Sequence, residues 1–514
     1  MIGGRRDLIY LDSRTLTLND VVQVARNGES VLISTEAEKR INSSRNFVET
    51  KLEMNERVYG LNTGFGKFSD TSISVDEVAV LQRNLIKSHS CAMGKPFETE
   101  IVRAIMLLRL NALCGGYSGI RLSTMKTLLA MLNERVHPVI PEQGSLGASG
   151  DLAPLAHMVL PMIGEGQAEY KGEVLPGAEA MKRAGIPLVE LAAKEGLALI
   201  NGTQVMTAIG ALATYDAKML LKSADIIAAM STEAQNGITK AFDAKVQDVR
   251  GHDGQKKCAE NMRSLLKGSR LSKDHIDGKV QDAYSIRCIP QIHGASRDAI
   301  NYVASNVIRE INAATDNPLI FPEQNEVISG GNFHGQPMAL SFDFLGIALA
   351  ELASVSERRI ERMVNPQLNY GLPAFLTKNG GLNSGFMIAQ YIAASIVSEN
   401  KILAHPACVD SIPSSANQED HVSMGTTAAR KARVILENVQ KVLGVELYTA
   451  CQAIWLKGED MVSPPLHFVY RLVRNKVAPV EEDVVMYPNM EICEHLVCSG
   501  AIVGACEAVC GKLN

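Results

Sequence analysis

GSLGASGDLAPLAHM, residues 144–158, is the stretch on which the reading of this chain turns. Gly144, Gly147 and Gly150 surround Ala148 and Ser149, so the backbone there is almost bare of side chains. Glycine reaches dihedrals that other residues avoid and lets backbone atoms approach closely. Asp151-Leu152-Ala153-Pro154 follows and reads as the opening of a helix. A serine-nucleophile elbow needs G-x-S-x-G, but Ser149 is followed by Gly150 and then Asp151. From the residues alone, the stretch is either an ordinary turn with Ser149 as a helix N-cap, or a backbone with a chemical task of its own.

Outward from it, helical periodicity dominates. Ile101, Ile105, Leu108 and Ala112 fall on one helical face, and Gly115-Gly116 ends the segment. Ile300, Val303, Val307, Ile311 and Ala314 repeat the pattern until Thr315-Asp316-Asn317-Pro318 breaks it. Leu345, Leu349, Leu352 and Val355 begin a further helix that must stop before Pro366. Few segments alternate with period two, so strands are expected to be short. The organisation read from this is a head of shorter helices and loops over residues 1–201, then long bundled helices and a C-terminal helical region over 202–514.

Composition narrows the class. An apolar share of 46% suits a globular protein with a sizeable core, and an aromatic share of only 5% beside abundant Ala and Leu favours helix. The net charge of −5, with both signs interspersed, argues against nucleic acid as a partner. The N-terminus has charges and no apolar h-region, and no apolar run has the length of a membrane span, so neither export nor membrane insertion is expected. The ten cysteines include no C-x-x-C. Cys493, Cys498, Cys506 and Cys510 fit no common zinc spacing, so we expect no metal, reduced packed thiols and a cytoplasmic setting.

Three more stretches interrupt the regular pattern. Val58-Tyr59-Gly60-Leu61-Asn62-Thr63-Gly64-Phe65-Gly66 is glycine-rich but fails the P-loop pattern, because Lys67 is followed by Phe68. Gln281 to Cys288, QDAYSIRC, places Tyr284 and Arg287 where they can share a helical face. Ser415-Ala416-Asn417-Gln418-Glu419-Asp420-His421 is polar, with adjacent acids unsuited to a facial metal site. Singly, each reads equally as loop, core or solvated face.

Together with LINGTQ (199–204), TDNPL (315–319) and SGGNFHGQP (329–337), they occur in the order seen in the ammonia-lyase/aminomutase family, and the sequence resembles that family from about Tyr59 to about Arg430. The resemblance implies a mainly α, aspartase/fumarase-like long helical bundle. It also implies that Ala148-Ser149-Gly150 matures autocatalytically into 4-methylideneimidazol-5-one, with no external cofactor. In that chemistry the Gly150 nitrogen attacks the Ala148 carbonyl carbon, water leaves, and Ser149 then loses its hydroxyl to give an exocyclic methylene. Further implied are Tyr59 as the base for the β-proton, Tyr284 beside it in proton handling, and Arg287 on the substrate carboxylate. Asn201 and Gln281 resemble polar contacts, and Phe333 a residue lining the pocket. A homotetramer with active sites shared between chains is also implied.

The side chain of the substrate follows from Ser88-His89 and Glu419, which resemble the selectivity residues of histidine-type members. An imidazole offers one donor and one acceptor. Glu419 can take the first and His89 can meet the second, whereas a phenyl ring would leave both unpaired at about 1–3 kcal/mol each. L-histidine is therefore the expected small-molecule substrate and urocanate the product. The competing readings are a tyrosine or phenylalanine ammonia-lyase or aminomutase on the same scaffold, a non-catalytic helical scaffold, and a serine hydrolase using Ser149. Two departures from the family pattern stand out. Ala283 occupies a place where proline is common, which would loosen the loop at Tyr284, and His293 replaces a commonly apolar residue and reads as structural.

Overall fold

Long apolar periodicity gives long helices. In the computed structural model, which describes residues 8–54, 63, 73 and 77–514, the longest are Gln204–Ala234, Gln336–Val364 and Gly425–Lys457, with Ile289–Glu310 next. The last of these ends ahead of Thr315-Asp316-Asn317-Pro318, and Gln336–Val364 ends ahead of Pro366, as the breakers require. Thr99–Leu113 forms where Ile101, Ile105, Leu108 and Ala112 place it, but burial runs all round it and takes in Arg103 and Arg109. The strands are three or four residues long. Met93–Pro96 pairs antiparallel with Pro141–Gln143, which fixes the chain immediately before Gly144. Of the described helices, Gln336–Val364 has the length and apolarity to cross a bilayer, and 67% of its apolar window is buried inside the protein.

The chain divides into two compact units, each assembled from separated stretches. The first comprises residues 1–215, 304–343 and 406–430. Its core is built on Thr99–Leu113, on Leu152–Val159 and on the first turns of Gln204–Ala234, where Val205, Met206, Ile209 and Leu212 are fully or almost fully buried.

The second unit comprises residues 216–303, 344–405 and 431–514. Two buried carboxylates organise it. Glu446 accepts from Arg359, Ser231 and Ser356 at 2.5–2.6 Å. Asp225 accepts from His293 Nδ1 at 2.8 Å, Arg297 at 2.7 Å and Asn261 at 2.8 Å, with Cys258 Sγ at 3.2 Å. Arg359 Nη1 lies 3.3 Å from His293 Nε2. Arginine only donates, so Nε2 is the acceptor and the imidazole is neutral with its proton on Nδ1. Burial lowers the His293 pKa accordingly. Asp225, Cys258 and His293 lie close enough together to suggest metal ligands, yet Asp225 and His293 Nε2 already accept from internal donors, and Cys258 is itself one of the donors to Asp225.

Candidate active site

The triplet sits in a tight turn. An isolated antiparallel bridge joins Gly147 to Gly150, leaving Ala148 and Ser149 as the two residues between, with Ser149 at φ 54°. Gly150, at φ 78°, lies flat against Gly202: a Cβ there would stand 2.1 Å from the Gly202 carbonyl oxygen. The two segments run parallel, with Gly202 N–H donating to Ser149 O at 3.3 Å and Asp151 N–H donating to Gly202 O at 2.8 Å. Only a residue without a side chain permits that approach. Ala148 and Ser149 are half-buried, while Gly147, Gly150 and Asp151 are buried.

Asp151 does open a helix, Leu152–Val159, but its carboxylate works elsewhere. Oδ2 accepts from the backbone N–H groups of Val205 and Met206 at 2.9 Å each, the first turn of Gln204–Ala234. Oδ1 accepts from Ser145 at 2.7 Å and from Thr426, in the first turn of Gly425–Lys457. One buried anion thus ties the starts of two long helices to the backbone just after the triplet, where helix N-termini carry partial positive charge. Burial pushes the Asp151 carboxyl upward in pKa, and these four hydrogen bonds oppose it.

Asn201 caps the short helix Glu195–Ile200 beside this turn. Its amide donates to Asp316 Oδ1 at 3.1 Å and to Asn317 O at 3.0 Å, while its own Oδ1 is buried and meets no partner. Asp316 is fixed in turn by Lys194 Nζ at 2.8 Å, both side chains being buried. Arg109, fully buried, donates from Nη1 to Asn201 O and to Gln204 Oε1 at 2.7 Å each. From the sequence, Asp151 reads only as the opening of a helix and Asp316 only as part of a helix breaker, and Arg109 and Lys194 have no role. Their signal is weak: charged residues inside LLRLNAL, GASGD, AAKEG and TDNPL, each explicable as an exposed helix or loop position.

His89 is the last residue of the helix Val78–His89, half-buried, with Nδ1 3.1 Å from Ser88 Oγ. Burial lowers its pKa, and the nearby Glu419 carboxylate opposes that shift. Glu419 is half-buried and held by its backbone: Ser414 N–H donates to its carbonyl at 2.9 Å, its own N–H returns to Ser414 O at 3.3 Å, and Ser414 Oγ donates to Oε2 at 3.3 Å. Ser415, Ala416 and Asn417 make the turn between them at φ 51°, 55° and 67°. Phe333 is half-buried just ahead of Gln336–Val364. Contact runs on from there: a Cβ on Gly335 would stand 2.9 Å from Ser423 Oγ, and one on Gly147 2.3 Å from the same atom. The triplet, Asn201, His89, Phe333 and Glu419 all belong to the first unit.

Gln281, Tyr284 and Arg287 belong to the second unit. Tyr284 and Arg287 form a single helical turn, Tyr284–Arg287, with the guanidinium 4.9 Å from the ring centroid. Gln281 and Tyr284 are exposed. The turn is firmly based despite Ala283: the Ala283 carbonyl accepts from Ile286 and Arg287 N–H at 3.0 and 2.9 Å, and Asp282 is buried against Lys279 and the Ile238 N–H. Arg287 Nε donates to Asp282 O at 3.2 Å, and no carboxylate among the described residues pairs with its terminal nitrogens. Tyr59 lies outside the described residues, as do its neighbours in the glycine-rich stretch except Thr63.

The chain is similar to known proteins over nearly its whole length. The family of aromatic amino acid lyases matches over residues 16–475. A histidine ammonia-lyase of Alkaliphilus oremlandii (strain OhILAs) is 61% identical over 499 residues, spanning 97% of this chain and 98% of its own. The crystal structure of histidine ammonia-lyase from Trypanosoma cruzi is similar with a TM-score of 0.91 at 43% identity, over 98% of this chain and 95% of that one. Tyrosine aminomutase from Streptomyces globisporus gives a TM-score of 0.93 at 38% identity, over 97% and 98%.

Proposed function

The chain belongs to the aromatic amino acid lyase family, and from that premise we propose that it is a histidine ammonia-lyase, a carbon–nitrogen lyase that converts L-histidine to trans-urocanate and ammonia without oxidation. The observation that carries the choice of histidine is a half-buried His89 with the half-buried Glu419 carboxylate in its neighbourhood, a ring nitrogen and an acceptor for the two sides of an imidazole.

The residues fit a 4-methylideneimidazol-5-one formed from Ala148, Ser149 and Gly150. A tight turn bridged from Gly147 to Gly150 holds Ala148 and Ser149, Gly150 lacks the Cβ that Gly202 O would obstruct at 2.1 Å, and Ser149 lies at φ 54°. Such a group would supply an electron-poor methylidene able to turn the α-amine into a better leaving group.

The side chains have separate tasks. The planar fork of Arg287 holds the substrate carboxylate through paired charge-assisted hydrogen bonds. Gln281 adds a second polar contact, and Asn201 Oδ1, buried without a partner, is free to accept from the bound substrate's polar hydrogens. Glu419 accepts the imidazole N–H, and His89, kept neutral by burial, meets the other ring nitrogen. Phe333 covers the ring. Fixing both ends of the substrate would hold its β-carbon in one orientation for the base, a gain from positioning alone. Tyr59 takes the β-proton, the C–H electron pair becomes the new C=C bond, and the C–N pair departs with nitrogen. A phenol has an ordinary pKa of about 10, so its phenolate needs support from hydrogen bonds or positive charge, a part the family resemblance gives to Tyr284.

We assign the enzyme to the cytoplasm as a homotetramer. All ten cysteines are free, which suits a reducing compartment. Phe344, Ile347, Tyr391 and Ile392 stand exposed on long helices, an apolar surface of the kind subunits cover. Incubation with L-histidine, followed by the ultraviolet band of urocanate, tests the activity. Rapid cinnamate or coumarate formation with negligible urocanate would replace histidine by another aromatic substrate, and a β-amino acid product would identify an aminomutase.

A further inference from the structure

Arg109 is a cation in the wrong place for a residue that only supports a fold. Its side chain is fully buried, and Nε and Nη2 meet no partner. The neighbouring carboxylate, Asp316, is already engaged by Lys194 Nζ at 2.8 Å, Asn201 Nδ2 at 3.1 Å and Asn317 N–H at 2.7 Å. Burial pulls the guanidinium down to a pKa of about 10, with Asp316 opposing, which leaves it charged at neutral pH. Arginine, lysine and aspartate side by side leave one buried positive charge without a contact anion, a costly arrangement unless the field is used.

The field has a direct route to the triplet. Arg109 Nη1 donates to Asn201 O at 2.7 Å. That oxygen and the Gly202 N–H are the two ends of one peptide group, and Gly202 N–H donates to Ser149 O at 3.3 Å. Because a peptide is a resonant unit, pulling electrons to its oxygen makes its N–H a stronger donor. Ring closure consumes the Ala148 oxygen and keeps that of Ser149, conjugated with the methylidene. Electron density arriving at the methylidene therefore settles on the atom that this N–H faces, and a preorganised donor there lowers the barrier. Gly202 is part of the device: a Cβ on it would stand 2.7 Å from Arg109 Nη1 and 2.5 Å from Gln204 Oε1.

We propose that Arg109 is a positioning residue which, through the Asn201–Gly202 peptide, polarises the Ser149 carbonyl and sharpens the electrophile built from residues 148–150. The proposal rests on the function argued above. Its test uses Arg109→Met and Arg109→Lys beside the wild-type chain. Intact mass reports the loss of two waters on ring formation, thermal melts report folding, and the mass gain with a small thiol reports electrophilicity without substrate. Arg109→Met that folds and has lost both waters should take up thiol about tenfold more slowly, and kcat on L-histidine should fall by about the same factor with KM little changed. Arg109→Lys should recover most of both rates. A folded, matured Arg109→Met with thiol uptake and kcat within about twofold of wild type overturns the proposal and leaves the function standing. If Arg109→Met does not fold, Arg109→Gln, which also removes the charge, decides: slower thiol uptake in folded, matured chain supports the relay, and uptake within about twofold of wild type overturns it. A wild-type chain that loses no water and takes up no thiol overturns both.

Discussion

Glu419→Gln separates recognition of the imidazole from everything else the site does. Glu419 is held mainly by backbone hydrogen bonds to Ser414 at 2.9 and 3.3 Å, with one side-chain contact from Ser414 Oγ at 3.3 Å. Its surrounding turn depends on the backbone of Ser415 to Asn417. Replacing a carboxylate oxygen by an amide therefore leaves the loop in place, and the melting temperature should stay within a degree or two of wild type. The energetic change falls on the substrate. A hydrogen bond from imidazole N–H to a carboxylate contributes about 1.5–3 kcal/mol, and the same bond to a neutral amide oxygen about 1 kcal/mol. The loss of roughly 1–2 kcal/mol predicts a fall in kcat/KM for L-histidine of about 5- to 30-fold. L-Phenylalanine behaves oppositely, because its ring leaves Glu419 desolvated and unpaired, and an amide is cheaper to leave so. Its kcat/KM should rise by a similar factor, and the ratio between the substrates should shift on the order of 100-fold. Initial rates with both amino acids, read as urocanate and cinnamate absorbance beside a thermal melt, measure this. A folded variant whose histidine kcat/KM lies within about twofold of wild type, with no gain on phenylalanine, would refute the assignment of Glu419 to the imidazole.

Other expectations concern the triplet, the base and the titration of His89. Ser149→Ala should fold, keep the mass its sequence dictates and lose nearly all turnover; an intact-mass spectrum showing two waters lost in this variant would be incompatible with the ring. Gly150→Ala places a Cβ 2.1 Å from Gly202 O at φ 78°, so ring formation should fail or the melting temperature should drop by several degrees, and normal maturation with normal stability would show the approach of the two segments to be wrong. Tyr59→Phe should mature normally and lose about 10²- to 10⁴-fold in kcat; a smaller loss would move the base elsewhere. His89 has a pKa lowered from its ordinary 6.5 by burial, so the folded chain favours the neutral ring, and stability should decline as pH falls through 6.5 until the lowered value is passed. His89→Gln should flatten that part of the stability–pH curve, and parallel curves for the two proteins would count against a buried neutral imidazole.

Helices were legible because their signals are local. Ile101, Ile105, Leu108 and Ala112 announce Thr99–Leu113, and Pro366 limits Gln336–Val364 without reference to the rest of the chain. The triplet was legible because its neighbours carry a pattern. The charges beneath it were not, since nothing local distinguishes Arg109, whose partners Asn201 and Gln204 lie more than 90 residues away, from the exposed arginine of an amphipathic helix. Asp151 misleads in another way. Its position announces one helix, and its carboxylate serves the starts of two others. The return of residues 304–343 and 406–430 to the first unit is equally invisible, because chain order carries no record of which helices pack together.

These charges also bear on why the site is built as it is. Replacing a buried ion pair by apolar residues of the same volume is often neutral or stabilising, by about 1–4 kcal/mol. Lys194 with Asp316, the lone cation of Arg109 and the fourfold-satisfied Asp151 all lie at or close to full burial around one short turn. Glu310 joins them: burial and the Asp151 charge raise its pKa, favouring the protonated form, and Thr203, next to Gly202, donates to it at 2.5 Å. A chain selected only to fold would fill this volume with leucine and valine, as it does along most of Thr99–Leu113. What the polar set achieves is directional. Each member holds a backbone segment, 149–151, 201–206 or 315–317, at a fixed distance from the next, and backbone placement is what condensation of three consecutive residues requires. This polar set separates the turn from a glycine-rich loop held only by its own backbone, and it is the placement that the proposed condensation would use.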